Sequence, residues 1–298
     1  MKVLLTGSSG ALGEYLTAEL SKCFQPLCLY NNNPCKANEL SSIKIDITDF
    51  DLLKDTFNNF KPDIVIHTAA ISNTAACDNL PVKTVYEVNV NATHNIAKLC
   101  SEYNSKLIYI STDLVYAGYR GSMLDENAKL IPISLYAETK LMGELKIQQT
   151  FNNYIILRTS LLFGFSNSAS ENHFQKMYLS FRNNKHEKLF TDQFRTPLSF
   201  IDAAQAICEL CKLDISKEII NLGGRDRVSR AQFGRMLCDI AGFEKKLIRK
   251  VTMDEILGTY KVADVSLNTE KLQSFGIKVK SLRNSIKFIL DNIPYNYQ

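Results

Sequence analysis

The chain has 298 residues, is 45% hydrophobic and 22% charged, and carries a formal net charge of +4, which allows two domains with a large core. No run of about 18 apolar residues is present, and the apolar start is too short for a signal peptide, so a membrane span and export are excluded and a cytoplasmic protein is expected. Residues 1–165 hold 14 Lys and Arg against 16 Asp and Glu, and residues 166–298 hold 21 against 15; the basic second half suits an anionic small molecule, while the absence of an Arg-rich run with interleaved aromatics argues against nucleic acid.

The run KVLLT (2–6) predicts a strand. GSSGALG follows, and a helical period then runs from Ala11 to Lys22. LCLY (27–30) and IKID (43–46) predict the next two strands, with a helix over 49–60 after them. DIVIHTAA (63–70) is continuously apolar, as strands covered on both faces are. Residues 81–103 predict one long helix with Pro81 at its start. KLIYIST (106–112) and YIILRTS (154–160) are further strands, and the stretch around Tyr136 and Lys140 between them is a helix. This alternation predicts an α/β fold, a Rossmann-like doubly wound parallel sheet.

Beyond residue 165 the pattern loosens. Residues 171–184, 202–213 and 229–242 predict helices, with Ser229 and Gln232 spaced as a capping box. KLF (188–190) and IINLG (219–223) predict short strands. The expected organisation is a dinucleotide-binding domain over 1–165 and a smaller, mostly helical substrate-binding lobe over 166–298, interleaved with the first. The eight cysteines are scattered and point to reduced thiols. Cys208 and Cys211 form a CxxC, but no second Cys or His pair lies near them in sequence, so no metal site is expected.

Gly7, Gly10 and Gly13 separate the first strand from the first helix. Glycines there permit a tight turn, close backbone approach to a pyrophosphate and close helix–sheet packing, while the helix N-terminus offers free N–H groups and a positive dipole end. The second strand ends Tyr30-Asn31-Asn32-Asn33, without the acid that binds the 2′-hydroxyl of NAD, and Lys36 is the one cation close by. NADPH is therefore expected over NADH. Asp46 is placed either to accept a bond from the adenine amine or to cap the following helix.

Tyr136 and Lys140, four apart on a helix, share one face. A free phenol has a pKa of about 10, and a nearby ammonium lowers it and makes the phenol a usable proton donor. Thr112 ends a strand and reaches the same crevice, because ligands bind beyond the carboxyl ends of such strands. His67 reads as a packed strand residue.

The motifs TGSSGALG, NVNAT (89–93), STDLVY (111–116) and YAETK (136–140) together resemble an extended short-chain dehydrogenase/reductase. ILRTSLLFG, FTDQFRTP and VSLNTEKL extend the resemblance to the dTDP-4-dehydrorhamnose reductase group over nearly the whole chain. It implies reduction of a 4-keto-6-deoxy sugar nucleotide with hydride from NADPH. In the implied site Tyr136 is the proton donor, Thr112 bonds the carbonyl, and Lys140 holds the nicotinamide ribose and lowers the Tyr136 pKa. The resemblance further implies cofactor contacts from Gly7, Ser9, Gly10, Ala11, Leu12 and Gly13, from Asn31, Asp46 and Ile47, and from Ala69, Ala70 and Asn89. Substrate contacts are assigned to Thr112, Asp113, Arg195 and Lys261. Leu114 follows Asp113 where the related 4,6-dehydratases carry a second acid, which argues against water loss. Lys261-Val262 replaces the Arg-Pro of the group and loses a planar fork. Two other readings stay open. The regulatory β subunit of methionine adenosyltransferase resembles the same group as a partner-binding protein, and a 4-epimerase uses the same Thr, Tyr and Lys. A homodimer is also left open.

Overall fold

Aliphatic runs with no polar face set the core of the large sheet. Val3, Leu4, Leu5, Val65, Ile66, Leu107, Ile108, Ile155 and Ile156 are fully buried, which is possible only where helices cover both faces of their sheet. The computed structural model describes residues 1–34, 41–119, 121–168, 171–256, 258, 260–294 and 297.

The first part of the chain runs β1 (Lys2–Thr6), α1 (Ala11–Leu20), β2 (Gln25–Tyr30), β3 (Ser42–Lys44), α2 (Phe50–Phe60), β4 (Ile64–His67), α3 (Thr74–Asn79), α4 (Val82–Tyr86), α5 (Ala92–Glu102), β5 (Lys106–Thr112), α6 (Leu135–Thr150) and β6 (Tyr154–Thr159). It continues with β7 (Leu162–Phe163), α7 (His173–Arg182), β8 (Glu187–Phe190), β9 (Phe194–Arg195), β10 (Leu198–Ser199), α8 (Phe200–Lys212), β11 (Glu218–Leu222), β12 (Val228–Ser229), α9 (Arg230–Ala241), β13 (Ile248–Val251), α10 (Glu270–Ser274) and α11 (Leu282–Asp291).

Seven strands form one sheet in the order β11-β6-β5-β4-β1-β2-β3. β1 pairs in parallel with both β2 and β4, and β4 in parallel with β5. The winding direction reverses between β1 and β4, so a crevice opens at their carboxyl ends, where such sheets bind ligands. The register sets Thr6 beside His67 and His67 beside Tyr109.

Two compact units result, and they are not consecutive halves of the chain. Unit 1 comprises 1–115, 132–158 and 204–220, and unit 2 comprises 116–131, 159–203 and 221–298. Most of β11 falls in unit 1 because it completes the large sheet. The core of unit 1 includes Leu4, Leu29, Phe57, Val65, Ile96, Tyr109 and Ile156. Unit 2 is smaller and mostly helical, with three two-stranded pieces. Its core is aromatic, built on Phe163, Phe174, Phe181 and Phe233. Ser229 caps α9 in the expected box with Gln232.

Several local expectations are corrected. The third strand ends at Lys44 rather than Asp46, because the Asp46 carboxylate turns to accept from Thr48 N at 2.9 Å and Thr48 Oγ1 at 2.8 Å. Asp49, not Asp46, caps α2. The fourth strand stops at His67, where Thr68 Oγ1 folds back to donate to Thr6 O at 2.7 Å. The long helix is α4, a π-helical turn over Glu87–Asn91, and α5 in succession. None of the seven described cysteines is in a disulfide, and Cys208 and Cys211 are buried on α8. Burial pushes both thiols up, Cys208 to about 12. Among the described residues no helix is long and apolar enough to cross a membrane, and no group of three or more His, Cys, Asp or Glu could hold a metal ion.

Candidate active site

Unit 1 carries a glycine corner and, along the same carboxyl edge of its sheet, a polar cluster. At the corner, Gly7 sits at φ +71°, and a Cβ there would lie 2.7 Å from Ala69 N. Gly10 N donates to Gly7 O at 3.0 Å. A Cβ on Gly13 would meet Gly7 O at 2.2 Å and Ser8 backbone atoms at 2.8 Å. α1 can therefore start against the loop only with glycine at this position. Gly13→Ala is expected to lower the unfolding free energy by about 1–3 kcal/mol, the usual cost of a methyl forced into a packed site, as read by denaturant titration.

Gly10 is the N-cap of α1 and offers no side-chain bond to the first turn. By contrast, Asp49, Ser134, Asn172, Ser229 and Ser281 cap α2, α6, α7, α9 and α11 with their side chains. Gly10 thus offers the N–H groups of the first turn of α1 no side-chain acceptor at the positive end of the helix dipole, which suits an anion. Ser9, Ala11, Leu12 and Gly13 lie in this loop and turn. Asn31 is exposed at the end of β2, Asp46 is exposed and Ile47 is buried in the loop after β3, and Ala69 and Ala70 are half-buried after β4. Lys36 lies outside the described residues. The corner therefore fits a dinucleotide pyrophosphate, with no carboxylate among the described residues immediately after β2 to repel a 2′-phosphate.

The polar cluster is built on β5 and α6. Ser134 caps α6 by accepting from Ala137 N at 3.2 Å, worth about 1 kcal/mol, and this starts the helix one residue before Tyr136. Tyr136 is half-buried and Lys140, one turn on, is buried. Thr112 stands close enough to the Tyr136 phenol to lower its pKa. Thr112 Oγ1 also accepts from Leu114 N at 3.2 Å and donates to Asp113 Oδ1 at 3.3 Å. Thr112, Tyr136 and Lys140, expected to act together, thus share one unit and one edge of the sheet. Asp113 is buried beside them, close enough to act on the phenol.

Lys140 places its Nζ 4.0 Å from the centre of the Tyr109 ring, a cation–π contact. Burial lowers its pKa to about 7, and the Glu144 carboxylate opposes that fall. Glu144 is itself fully buried. It accepts from Ser111 Oγ at 2.5 Å and from Arg158 Nη2 at 2.8 Å, with Arg158 Nε 3.2 Å from each carboxylate oxygen. This pair joins α6 to β6 and, through Ser111, to the strand that carries Thr112.

One expectation is corrected in its direction. Lys140 was expected to lower the Tyr136 pKa, but in this chain the phenol is held above its ordinary value. Burial is the main cause, and Asp113 and Cys77 push the same way. The nearby Thr112 hydroxyl offsets part of the rise. The Lys140 ammonium, meanwhile, lies against Tyr109.

Asn89 lies within the π-turn. Its Oδ1 accepts from Ile71 N at 2.8 Å, and its Nδ2 donates to Ile71 O and Thr139 Oγ1, each at 3.1 Å. The wider π-turn is a common way to aim a side chain at a site. The residues that sequence reasoning passed over are Thr93, Thr139, Ser111 and Glu144. Thr93, Ser111 and Thr139 lie inside the motifs NVNAT, STDLVY and YAETK, but the inward polarity that gives them a role is exposed only by the packing.

Arg195 and Lys261 belong to unit 2. Arg195 is 5% exposed, and its guanidinium donates to the carbonyls of Phe194 at 2.6 Å and Val262 at 3.4 Å. It thereby ties β9 to the segment before Val265. Lys261 is exposed and pairs with Asp254 at 2.5 Å.

Comparison with known proteins is consistent with this architecture. The family described as RmlD substrate binding domain matches residues 1–294. The dTDP-4-dehydrorhamnose reductase of Aggregatibacter actinomycetemcomitans is 27% identical over 302 residues, covering 97% of this chain and 98% of that protein. The methionine adenosyltransferase 2 subunit beta of Pongo abelii is 26% identical, covering 93% of this chain and 83% of that one. In fold, the chain is similar to dTDP-4-dehydrorhamnose reductase of Bacillus anthracis in complex with NADP, with a TM-score of 0.84, 21% identity, and coverage of 98% and 99% of the two chains. A likeness at that identity speaks for the fold alone; the family match spans nearly every residue, and the chain belongs to the RmlD substrate binding domain family.

Proposed function

We propose that the protein is an NADPH-dependent reductase of a 4-keto-6-deoxy sugar nucleotide. The observation that carries this reading is the shared edge of Thr112, Tyr136 and Lys140 in the unit that also holds the uncapped glycine corner. Gly7, Gly10 and Gly13 and the first turn of α1 would hold the pyrophosphate. Lys140 and Asn89 would hold the nicotinamide side, and Ala69 and Ala70 would lie along the way. When bound, the cofactor would supply the hydride.

Thr112 donates to the substrate carbonyl and orients it. Tyr136 gives up its phenolic proton as that oxygen gains negative charge. A phenol with a raised pKa suits this role. It stays protonated at neutral pH, and the alkoxide forming beside it is a far stronger base than a phenolate. Lys140 then stabilises the phenolate left behind. Leu114 cannot exchange protons, so carbonyl reduction is favoured over dehydration at this site.

The test mixes pure protein, NADPH and dTDP-4-keto-6-deoxy-L-mannose and follows the absorbance of the reduced nicotinamide. Consumption is expected, with NADPH preferred to NADH. A second reading draws on the similar identity to the methionine adenosyltransferase β subunit: a cofactor-holding, partner-binding protein. Tight NADPH binding with no consumption by any keto-sugar nucleotide, together with a co-purifying partner, would select it. Redox-neutral turnover with no added cofactor would instead select a sugar-nucleotide 4-epimerase.

A further inference from the structure

One line of hydrogen bonds connects the glycine corner to the Tyr136 helix, and it runs through His67. Ala69 N donates to Thr6 Oγ1 at 3.3 Å, and Thr6 Oγ1 lies 2.7 Å from His67 Nδ1. His67 Nε2 lies 3.0 Å from Thr93 Oγ1, which donates to Asn89 O at 2.9 Å. Asn89 Nδ2 reaches Thr139 Oγ1 at 3.1 Å, and Thr139 Oγ1 donates to Tyr136 O at 2.9 Å.

The proton positions follow from chemistry alone. A carbonyl cannot donate, so the Thr93 hydroxyl spends its one proton on Asn89 O and must accept from His67 Nε2–H. A neutral imidazole then has a bare Nδ1, so Thr6 donates to it, which leaves the Thr6 oxygen to accept from Ala69 N–H. Every bond in the line fits one tautomer and no other. His67, Thr6 and Thr93 are fully buried, so a break in the line strands a polar group. Burial, aided by the Lys140 charge, drops the His67 pKa to about 3, which keeps the ring neutral.

We propose that His67, locked as the Nε2–H tautomer, is a positioning residue that sets the β4 corner under the cofactor and the Tyr136 helix in one register. The proposal rests on the reductase reading, in that Tyr136 is the group positioned. It gives His67 a role that packing of a strand residue would not need.

Three measurements test it. In ¹⁵N-histidine-labelled protein, long-range ¹H–¹⁵N spectra are expected to show His67 with a protonated Nε2 and a bare Nδ1, unchanged between about pH 5.5 and 8. An Nδ1–H tautomer, or titration with a midpoint near the ordinary histidine value, would overturn the proposal. His67→Leu keeps the bulk and leaves the buried Thr6 hydroxyl proton without its acceptor; NADPH dissociation constants, read by nicotinamide fluorescence, are expected to rise about tenfold or more. Unchanged affinity in a folded variant contradicts it.

Thr139→Val cuts the line at its far end with little change in volume, and covers the case in which His67→Leu does not fold. Its turnover is expected to fall about tenfold with NADPH affinity intact, and the loss is expected to vanish in a Tyr136→Phe background. A loss that persists without the phenol, or no loss at all, would refute positioning. If the wild-type protein consumes no NADPH with any keto-sugar nucleotide, the reductase reading fails by itself, and the tautomer and affinity measurements still judge His67.

Discussion

Tyr136→Phe is expected to lower turnover by about 10²–10⁴-fold, the usual share of a positioned acid, while NADPH affinity stays within about threefold. The substitution removes one oxygen and keeps the ring on α6, so the helix and its Ser134 cap are undisturbed. What is lost is the proton donor beside the Thr112 hydroxyl. Steady-state rates with a keto-sugar nucleotide and a fluorescence titration with NADPH separate the two effects. Near-normal turnover would remove Tyr136 from the reaction.

Lys140→Met is expected to move activity and stability in opposite directions. Turnover falls by about 10²-fold or more, since neither the ribose nor the phenolate keeps its cation. Stability does not fall with it. Lys140 is buried, and burial brings its pKa down from 10.5 to about 7. Below about pH 7 the folded wild-type protein holds a buried ammonium, and a thioether of similar length there is expected to be more stable by about 1–4 kcal/mol. Between about pH 7 and 10.5 the unfolded chain binds this proton and the folded chain does not, so wild-type stability rises with pH across that window relative to the variant. The charge itself follows the opposite course: the ammonium predominates below about pH 7 and is lost above it. Affinity for NADPH in the wild type is therefore expected to decline as pH rises through about 7, and that decline is expected to be missing from Lys140→Met. Denaturant unfolding at several pH values, paired with NADPH titrations, checks both signs.

Local chemistry made much of this architecture readable in advance. Gly7 and Gly13 announce the turn because a side chain on them would run into Ala69, Gly7 O or Ser8. Strands such as β4 and β5 declare their burial by lacking a polar face, and Ser229 with Gln232 marks its cap through residues three apart. Features that depend on distant partners were hidden. The π-turn over Glu87–Asn91 interrupts a helix whose apolar period continues through it, so only the bonds of Asn89 to Ile71 betray it.

Glu144 looks like a surface acid on α6, yet Arg158 on β6 and Ser111 on β5 draw it into the core. His67 is apolar by context, and its polarity becomes meaningful only once the register sets Thr6 beside it. The direction of the Tyr136 shift failed for the same reason. Spacing along a helix gives proximity to Lys140, but not the burial that raises the phenol's pKa. Asp46 is a credible cap by position, but the Thr48 turn consumes its carboxylate and Asp49 caps α2 instead.

The central claim is that Tyr136, Thr112 and Lys140 serve a hydride transfer to a carbonyl carbon of a sugar nucleotide. The most direct test supplies NADPH carrying deuterium at the transferable position of the nicotinamide and examines the sugar product by mass spectrometry and NMR. The account predicts one deuterium per product molecule, at C4, with stoichiometric oxidation of the coenzyme and loss of both in Tyr136→Phe. A product without the label, or interconversion of sugars with no coenzyme oxidised, would contradict it.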